Sequence, residues 1–475
     1  MISEQERTSD NFVNDEKIAR ILRNATAQAA DLAQVRSLLA KAGKAQGLTA
    51  AEAAVLLTVN DPALLQEMFI TAKTVKERIY GTRIVLFAPL YLSSYCINNC
   101  GYCGYRSGNA EQLRRRLTTE EIAAEVEILE SLGHKRLALE AGEDPQNCSL
   151  DYILDSIKAI YSVKNGNGAI RRVNVNIAAT TLDEYRQLNA AGIGTYILFQ
   201  ETYHRPSYAA MHPAGPKRDY NWHTTAMDRA MRAGIDDVGI GVLYGLYDAI
   251  YETIAMLLHA EHLEQEFGVG PHTISVPRLR PAGGVTLSRF PYLVDDELFK
   301  KIIAVIRLAV PYTGMILSTR EDPELRDELI GYGISQISAG SCTGVGGYQQ
   351  SYREEKAVPA GMQFEPSDQR SPDEIITMLC QSGYIPSFCT ACYRQGRTGD
   401  RFMALAKSGA IQNICQPNAL LTLQEYLEDY ADPAVQAAAR PLIANSLASI
   451  ANETVRSKTA ERLRQIADGK RDLYF

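Results

Sequence analysis

The chain has 475 residues, 46% hydrophobic and 22% charged, which is ample for one large domain with appendages and ordinary for a globular protein. Its formal charge of −7 argues against holding nucleic acid or anionic lipid by bulk electrostatics. No apolar run reaches the roughly 18 uncharged residues of a membrane span. The acidic opening MISEQERTSDNFVNDEK lacks the apolar stretch of a secretory signal, so a cytoplasmic location is expected, with neither membrane nor nucleic acid as partner.

Residues 1–82 read as a helical extension. DEKIARILRNA and DLAQVRSLLAKAG carry apolar residues at three- and four-residue spacing. Thr49 opens a further helix as N-cap, and Asp61 followed by Pro62 opens another. From residue 83 the period changes, and short Val/Ile/Leu/Tyr runs alternate with amphipathic stretches. The predicted strands cover 83–92, 136–141, 172–179, 195–201, 237–243, 273–279, 314–319 and 335–340. Thr118 and Glu121 form a predicted capping box at the start of one intervening helix. The run RSGNAEQLRRR before it is expected to be a solvated approach to that helix. Eight strands alternating with helices over 83–345 predict a parallel (β/α)8 barrel rather than a doubly wound open sheet. The chemically rich segments YCINNCGYC, EAGEDP, FQETYH, VLYGLYD, PRLRPAGG, STRED and AGSCTGVGG all follow strand carboxyl ends, the rim where barrel enzymes work. Residues 346–475 read as a long Gly/Pro/Ser-rich connection and then a small helical domain, whose first helix opens with Ser371, Pro372 and Glu374.

Six of nine cysteines fall into two tight groups. In a chain of this length and expected compartment they point to metal or redox chemistry rather than disulfides. Cys96, Cys100 and Cys103 form C-x3-C-x2-C directly after the first strand. Three thiolates bind zinc or an iron–sulfur cluster. A structural zinc needs a fourth ligand, and the nearest candidates, His134 and Cys148, lack finger-like spacing. A [4Fe–4S] cluster with three protein ligands leaves one iron open. Cys389, Cys392 and Cys415 form C-x2-C-x22-C in the C-terminal part; helical periodicity between them lets Cys415 fold back toward the pair. Zinc with a distant histidine and a second cluster both remain open there.

The first group, with Tyr102 before its last cysteine, resembles the radical S-adenosylmethionine (SAM) enzymes. That resemblance implies a [4Fe–4S] cluster whose open iron chelates SAM, and an electron that splits SAM into methionine and a 5′-deoxyadenosyl radical. It extends to the cofactor contacts: Tyr102 itself, Gly142 presenting backbone to the SAM amino group with Glu143 beside it, Glu201 at the end of the fourth strand, and Gly241 in the segment that packs on adenine. Ala141 departs from the pattern, standing where many members have glycine.

The two cysteine groups together resemble the tyrosine lyases of [FeFe]-hydrogenase maturation over nearly the whole chain, including FQETYHRPSYAAMHPAGPKRDYNWHTTAMDRAM, GPHTISVPRLRPA and LSTRED. The tyrosine lyase of thiamine biosynthesis, 2-iminoacetate synthase, is similar through the barrel and lacks the C-terminal triad. The resemblance implies cleavage of L-tyrosine to p-cresol and dehydroglycine. Dehydroglycine then passes through the barrel to the C-terminal cluster, where it yields carbon monoxide and cyanide captured on an additional iron. It further implies Arg320 as ligand of the substrate carboxylate, with Arg278 and Arg280 as alternatives, and His272 as ligand of the additional iron, with His204 as rival. The implied partners are L-tyrosine, a low-potential electron donor and other hydrogenase maturation proteins. A thiamine-type lyase with structural zinc and a non-catalytic iron–sulfur scaffold are the competing readings.

Overall fold

The computed structural model describes residues 11–353 and 361–475; the first ten residues and 354–360, inside the expected connection, lie outside the described residues. All eight predicted strands are present as β1 (Arg83–Ser93), β2 (Arg136–Ala141), β3 (Arg172–Asn176), β4 (Tyr196–Ile197), β5 (Val238–Gly241), β6 (Thr273–Ser275), β7 (Gly314–Leu317) and β8 (Gln336–Ser338). Each pairs in parallel with the next, and β1 pairs with both β8 and β2, closing the barrel. The register of β1 against β2 slips between Tyr91 and Ser93. Such a bulge re-aims the chain, here directly before the first cysteine loop.

A ninth strand, β9 (Ile385–Ser387), was not expected. It runs parallel to β1 at Arg83–Val85, on the edge opposite β8 and below the point where β2 begins to pair at Ala88. A three-residue strand containing Pro386 has no pattern of its own; the free amino-terminal edge of β1 makes it a strand. β9 leads straight into Cys389 and so delivers the second cysteine group to the amino-terminal end of the barrel.

The N-terminal helices span Asp15–Ala29, Leu32–Ala42, Ala50–Thr58 and Pro62–Tyr80, with Thr49 and Asp61 capping as expected. The last packs against the barrel helix Asp296–Ala309. Both predicted capping boxes, Thr118 with Glu121 and Ser371 with Glu374, are formed. Arg106, Arg114 and Arg115 of RSGNAEQLRRR are half-buried rather than solvated, while Arg116 is exposed as expected. Arg114 donates to the carbonyls of Ser94, Tyr105 and Arg106, each at 2.6 Å, and so braces the cysteine loop. The C-terminal part is not cleanly set apart either. Residues 361–368 fold back over the barrel mouth, where Gln363 N–H donates to Thr343 O and Ser367 N–H to Thr319 O. Beyond β9 the chain is helical, with Ala391–Arg394, Gly399–Ser408 and Gln412–Asp429 framing the second cysteine group. Among the described residues no helix is long and apolar enough to cross a membrane.

Candidate functional site

Inward-facing residues alternate along a strand, and here they run from one cavity into another. On β1, Arg83 and Val85 line a lower cavity while Phe87, Pro89 and Tyr91 line an upper one. On β2 the division falls between Arg136 and Ala138, and on β8 between Gln336 and Ser338. The upper cavity, about 1620 Å³ with its mouth included, lies at the carboxyl ends of the strands; the lower, about 600 Å³, lies at their amino ends.

Cys96, Cys100 and Cys103 all line the upper cavity. Their loop is held from three sides. Gly101 N–H donates to Met211 O at 2.8 Å, Ile97 N–H to Glu143 O at 2.8 Å, and Gly104 N–H to Gln363 O at 3.3 Å. The Tyr105 N–H reaches Cys103 Sγ at 3.4 Å. Burial pushes the Cys103 thiol up to about 11 and the Cys100 thiol up to about 12. These are soft ligands in a site that does not favour free thiolates, a setting a cationic cluster core relieves. Gly142 lies beneath the loop, where an added Cβ would strike the Tyr95 carbonyl and come within 3.1 Å of Cys96 Cβ. Its N–H is taken by Ser93 O at 3.0 Å, so it is the Gly142 carbonyl that remains for a cofactor amine.

The two carboxylates expected near the cofactor are joined by residues the sequence did not single out. Asn98 donates to Glu143 at 2.5 Å and accepts the Lys217 N–H at 2.9 Å; Lys217 Nζ donates to Glu201 at 2.7 Å. Burial raises the Glu143 carboxyl pKa. Burial also opposes the charge of Lys217, but Glu201 and Cys100 outweigh it and hold the pKa above its ordinary value. Glu201 sits in the left-handed region at φ 68°. Tyr102 lines the cavity and bonds His212 Nε2 at 2.8 Å. Gly241 does not line it. Instead it lies under Phe199, whose ring leaves no room for a Cβ, and Phe199 and Leu243 form that wall.

The three candidate arginines separate. Arg278 does not line the cavity; Glu321 at 3.0 Å, Asp296 at 2.8 Å and the Val294 carbonyl engage its guanidinium. Arg280 lines the cavity but also pairs with Glu321 at 2.7 Å. Glu321 is thus occupied twice, and Arg320 beside it has no ion pair among the described residues. Arg320 faces the upper cavity with Glu140, a carboxyl that burial pushes up to about 8.

Cys389, Cys392 and Cys415 line the lower cavity together with His272. Arg83 and Arg136 face them, each with an unpartnered buried Nε, and Arg136 also donates to Cys389 O at 2.9 Å. Hydrogen bonding from Cys415 lowers the Cys392 thiol pKa, and Arg397 adds to this against the burial. Two guanidinium groups with spare donors beside three thiols suit an anionic cluster. His272 packs on Phe402 with centroids 4.7 Å apart. Its Nδ1 lies 3.3 Å from Asp237 without hydrogen-bond geometry, and burial lowers its pKa. Its Nε2 meets the Tyr393 hydroxyl at 3.5 Å, so only Nδ1 lacks a partner; a neutral imidazole is a competent metal ligand. His204 is elsewhere: it precedes the helix Arg205–Met211, stacks on Tyr247 at 3.7 Å and lines neither cavity. Among the described residues no three His, Cys, Asp or Glu side chains converge as a single bound ion requires.

Residues 90–260 match the radical SAM superfamily model and residues 275–385 the biotin and thiamin synthesis associated domain. Together with three cysteines on the β1 loop, these define a radical SAM enzyme built on a (β/α)8 barrel. The 2-iminoacetate synthase of Escherichia coli (strain K12) is 31% identical over 350 residues, 73% of this chain and 88% of that protein. A crystal structure of HydG, described as a maturase of the [FeFe]-hydrogenase, superposes with a TM-score of 0.93 at 61% identity, covering 98% of this chain and all of that one. The HydG of Carboxydothermus hydrogenoformans gives 0.80 at 40% identity over 94% of this chain and 99% of its own. The chain belongs to the HydG family.

Proposed function

We propose that the chain cleaves the Cα–Cβ bond of L-tyrosine in the upper cavity, giving p-cresol and dehydroglycine. The dehydroglycine is then converted to carbon monoxide and cyanide in the lower cavity, for assembly of an [FeFe]-hydrogenase cofactor. One observation carries this reading: two three-cysteine cavities stand at opposite ends of one barrel, lined by the same strands. A thiamine-type lyase needs only the upper one.

Cys96, Cys100 and Cys103 would hold a [4Fe–4S] cluster, which with SAM supplies the 5′-deoxyadenosyl radical. Glu143 and Glu201 are assigned to the SAM amino and ribose groups, and the Gly142 carbonyl to its amino group. Asn98 and Lys217 hold these carboxylates in one network before the cofactor binds. Arg320 takes the substrate carboxylate through its bidentate fork. Phe199, Leu243 and Tyr102 wall the site apolarly, which keeps water from a reactive carbon centre. In the lower cavity Cys389, Cys392 and Cys415 would hold a second cluster and His272 an additional iron. A low-potential electron donor and other maturation proteins complete the scheme.

The test is anaerobic iron and sulfide analysis with electron paramagnetic resonance, with and without SAM. Two [4Fe–4S] signals are expected, only one of them altered by SAM. A single cluster with stoichiometric zinc would overturn the reading in favour of the thiamine-type lyase.

A further inference from the structure

Arg320 is surrounded by carboxylates and paired with none. Glu201 is engaged by Lys217, and Glu321 by Arg278 and Arg280. Among the described residues the Arg320 guanidinium has no side-chain hydrogen bond. What it has is a ring: its Cζ stands 3.6 Å from the centroid of Phe364. A guanidinium stacked by its face on a ring keeps its N–H donors, which lie in its own plane, available.

Phe364 is itself fixed. It is 8% exposed and belongs to a small apolar cluster with Leu243, Leu279 and Phe290, separate from the main core. Its carbonyl accepts the Thr343 hydroxyl at 2.7 Å. The neighbouring backbone is tied on both sides, Gln363 N–H to Thr343 O at 2.9 Å and Glu365 N–H to Pro281 O at 3.1 Å. The ring therefore stands on a strap anchored to the loops after β8 and β6, while Arg320 follows β7.

We propose that Phe364 is a positioning residue: its ring holds the Arg320 guanidinium by one face, so that the donor edge is presented to the α-carboxylate of an amino-acid substrate. This rests on the reading of Arg320 given above. The ring takes the place that a carboxylate partner would otherwise hold. An acidic partner would compete with the substrate carboxylate for the same donors, whereas a π face attracts the cation without using them.

The experiment measures KM for L-tyrosine from p-cresol release in the holoenzyme, with SAM cleavage in the absence of tyrosine as the check on an intact cofactor site. The variants are Phe364→Leu, Phe364→Tyr, Arg320→Ala, and a ring-fluorinated phenylalanine introduced at position 364, which keeps the shape and drains the π face. Phe364→Leu is expected to raise KM by about threefold to thirtyfold, the range of an exposed to a desolvated cation–π pair. The fluorinated ring should raise KM in the same direction, and Phe364→Tyr should recover most of the loss. If the fluorinated protein keeps the parent KM while Arg320→Ala raises it, the ring is packing only; the proposal falls and the reading of Arg320 stands. A parent KM in Arg320→Ala withdraws both. Should Phe364→Leu not fold, the fluorinated protein decides.

Discussion

Glu201 holds a left-handed backbone that costs a non-glycine residue about 1–3 kcal/mol. It persists because the next residues are pinned: Glu252 accepts the Thr202 hydroxyl and the Tyr203 N–H, the latter at 2.7 Å. The strain aims the carboxylate at Lys217 and the upper cavity. Gly142 is the opposite case, a residue chosen for having no side chain. Gly142→Ala places a methyl against the Tyr95 carbonyl and Cys96 Cβ, so the cysteine loop must move. The expected result is a folded protein with its upper cluster lost, read as reduced iron and sulfide and loss of the SAM-responsive resonance signal. Full iron content would show that the loop adapts. Arg320→Ala removes charge-assisted hydrogen bonds of about 1.5–3 kcal/mol, a factor of about ten to a hundred and fifty in tyrosine use. Slow formation of 5′-deoxyadenosine should survive. Unchanged tyrosine use would move the role to Arg280, which shares the cavity.

At the scale of elements, the helix Pro62–Tyr80 carries a liability. Lys76 is 1% exposed, its ammonium has no hydrogen-bond partner among the described residues, and it lies 4.8 Å from the centroid of the Tyr384 ring. Burial lowers its pKa to about 7, and Arg307 and Arg83 push the same way. Between that value and the ordinary 10.5 the unfolded chain binds the extra proton. Stability therefore rises with pH across this window, and the penalty is complete below it. At 1.36 kcal/mol per unit the ceiling is about 5 kcal/mol. Lys76→Met should raise Tm clearly at pH 7 and little above pH 10, by calorimetry; an equal gain at both would contradict the burial argument. Elements were legible where periodicity and caps agreed, as at β2 or at Thr118 with Glu121. β4 is only Tyr196–Ile197, yet Glu201 still bridges Val242, so the predicted run to 201 tracks a chain that stays extended beyond its regular ladder. β9 was illegible because a neighbour's free edge defines it. Lys217, Asn98 and Phe364 were illegible for a related reason: each acts through a partner that only the closed barrel brings near. The cysteines needed no such help to be picked out as ligands, because their spacing groups them, although for the second group that spacing left zinc and a cluster both open.

At the scale of the whole molecule, one barrel presents two chemically distinct ends. The upper end is ordinary for the fold, with its chemistry on the loops after the strands. The lower end gathers three cysteines because β9 threads Cys389 beneath β1 and the helix Gln412–Asp429 returns Cys415 to it. His272, at the start of β6, faces that end with the thiols rather than the cofactor side. His272→Ala should therefore leave p-cresol formation intact, lose most carbon monoxide and contain less iron, since one imidazole is a large share of the ligands an added iron would have. The division of labour between the two ends is tested most directly by Cys389→Ser/Cys392→Ser, assayed for p-cresol by chromatography and for carbon monoxide trapped on reduced globin in the same reaction. p-Cresol near the parent rate with carbon monoxide abolished is the expected result. Carbon monoxide at the parent rate, or p-cresol lost along with it, would contradict a two-ended barrel.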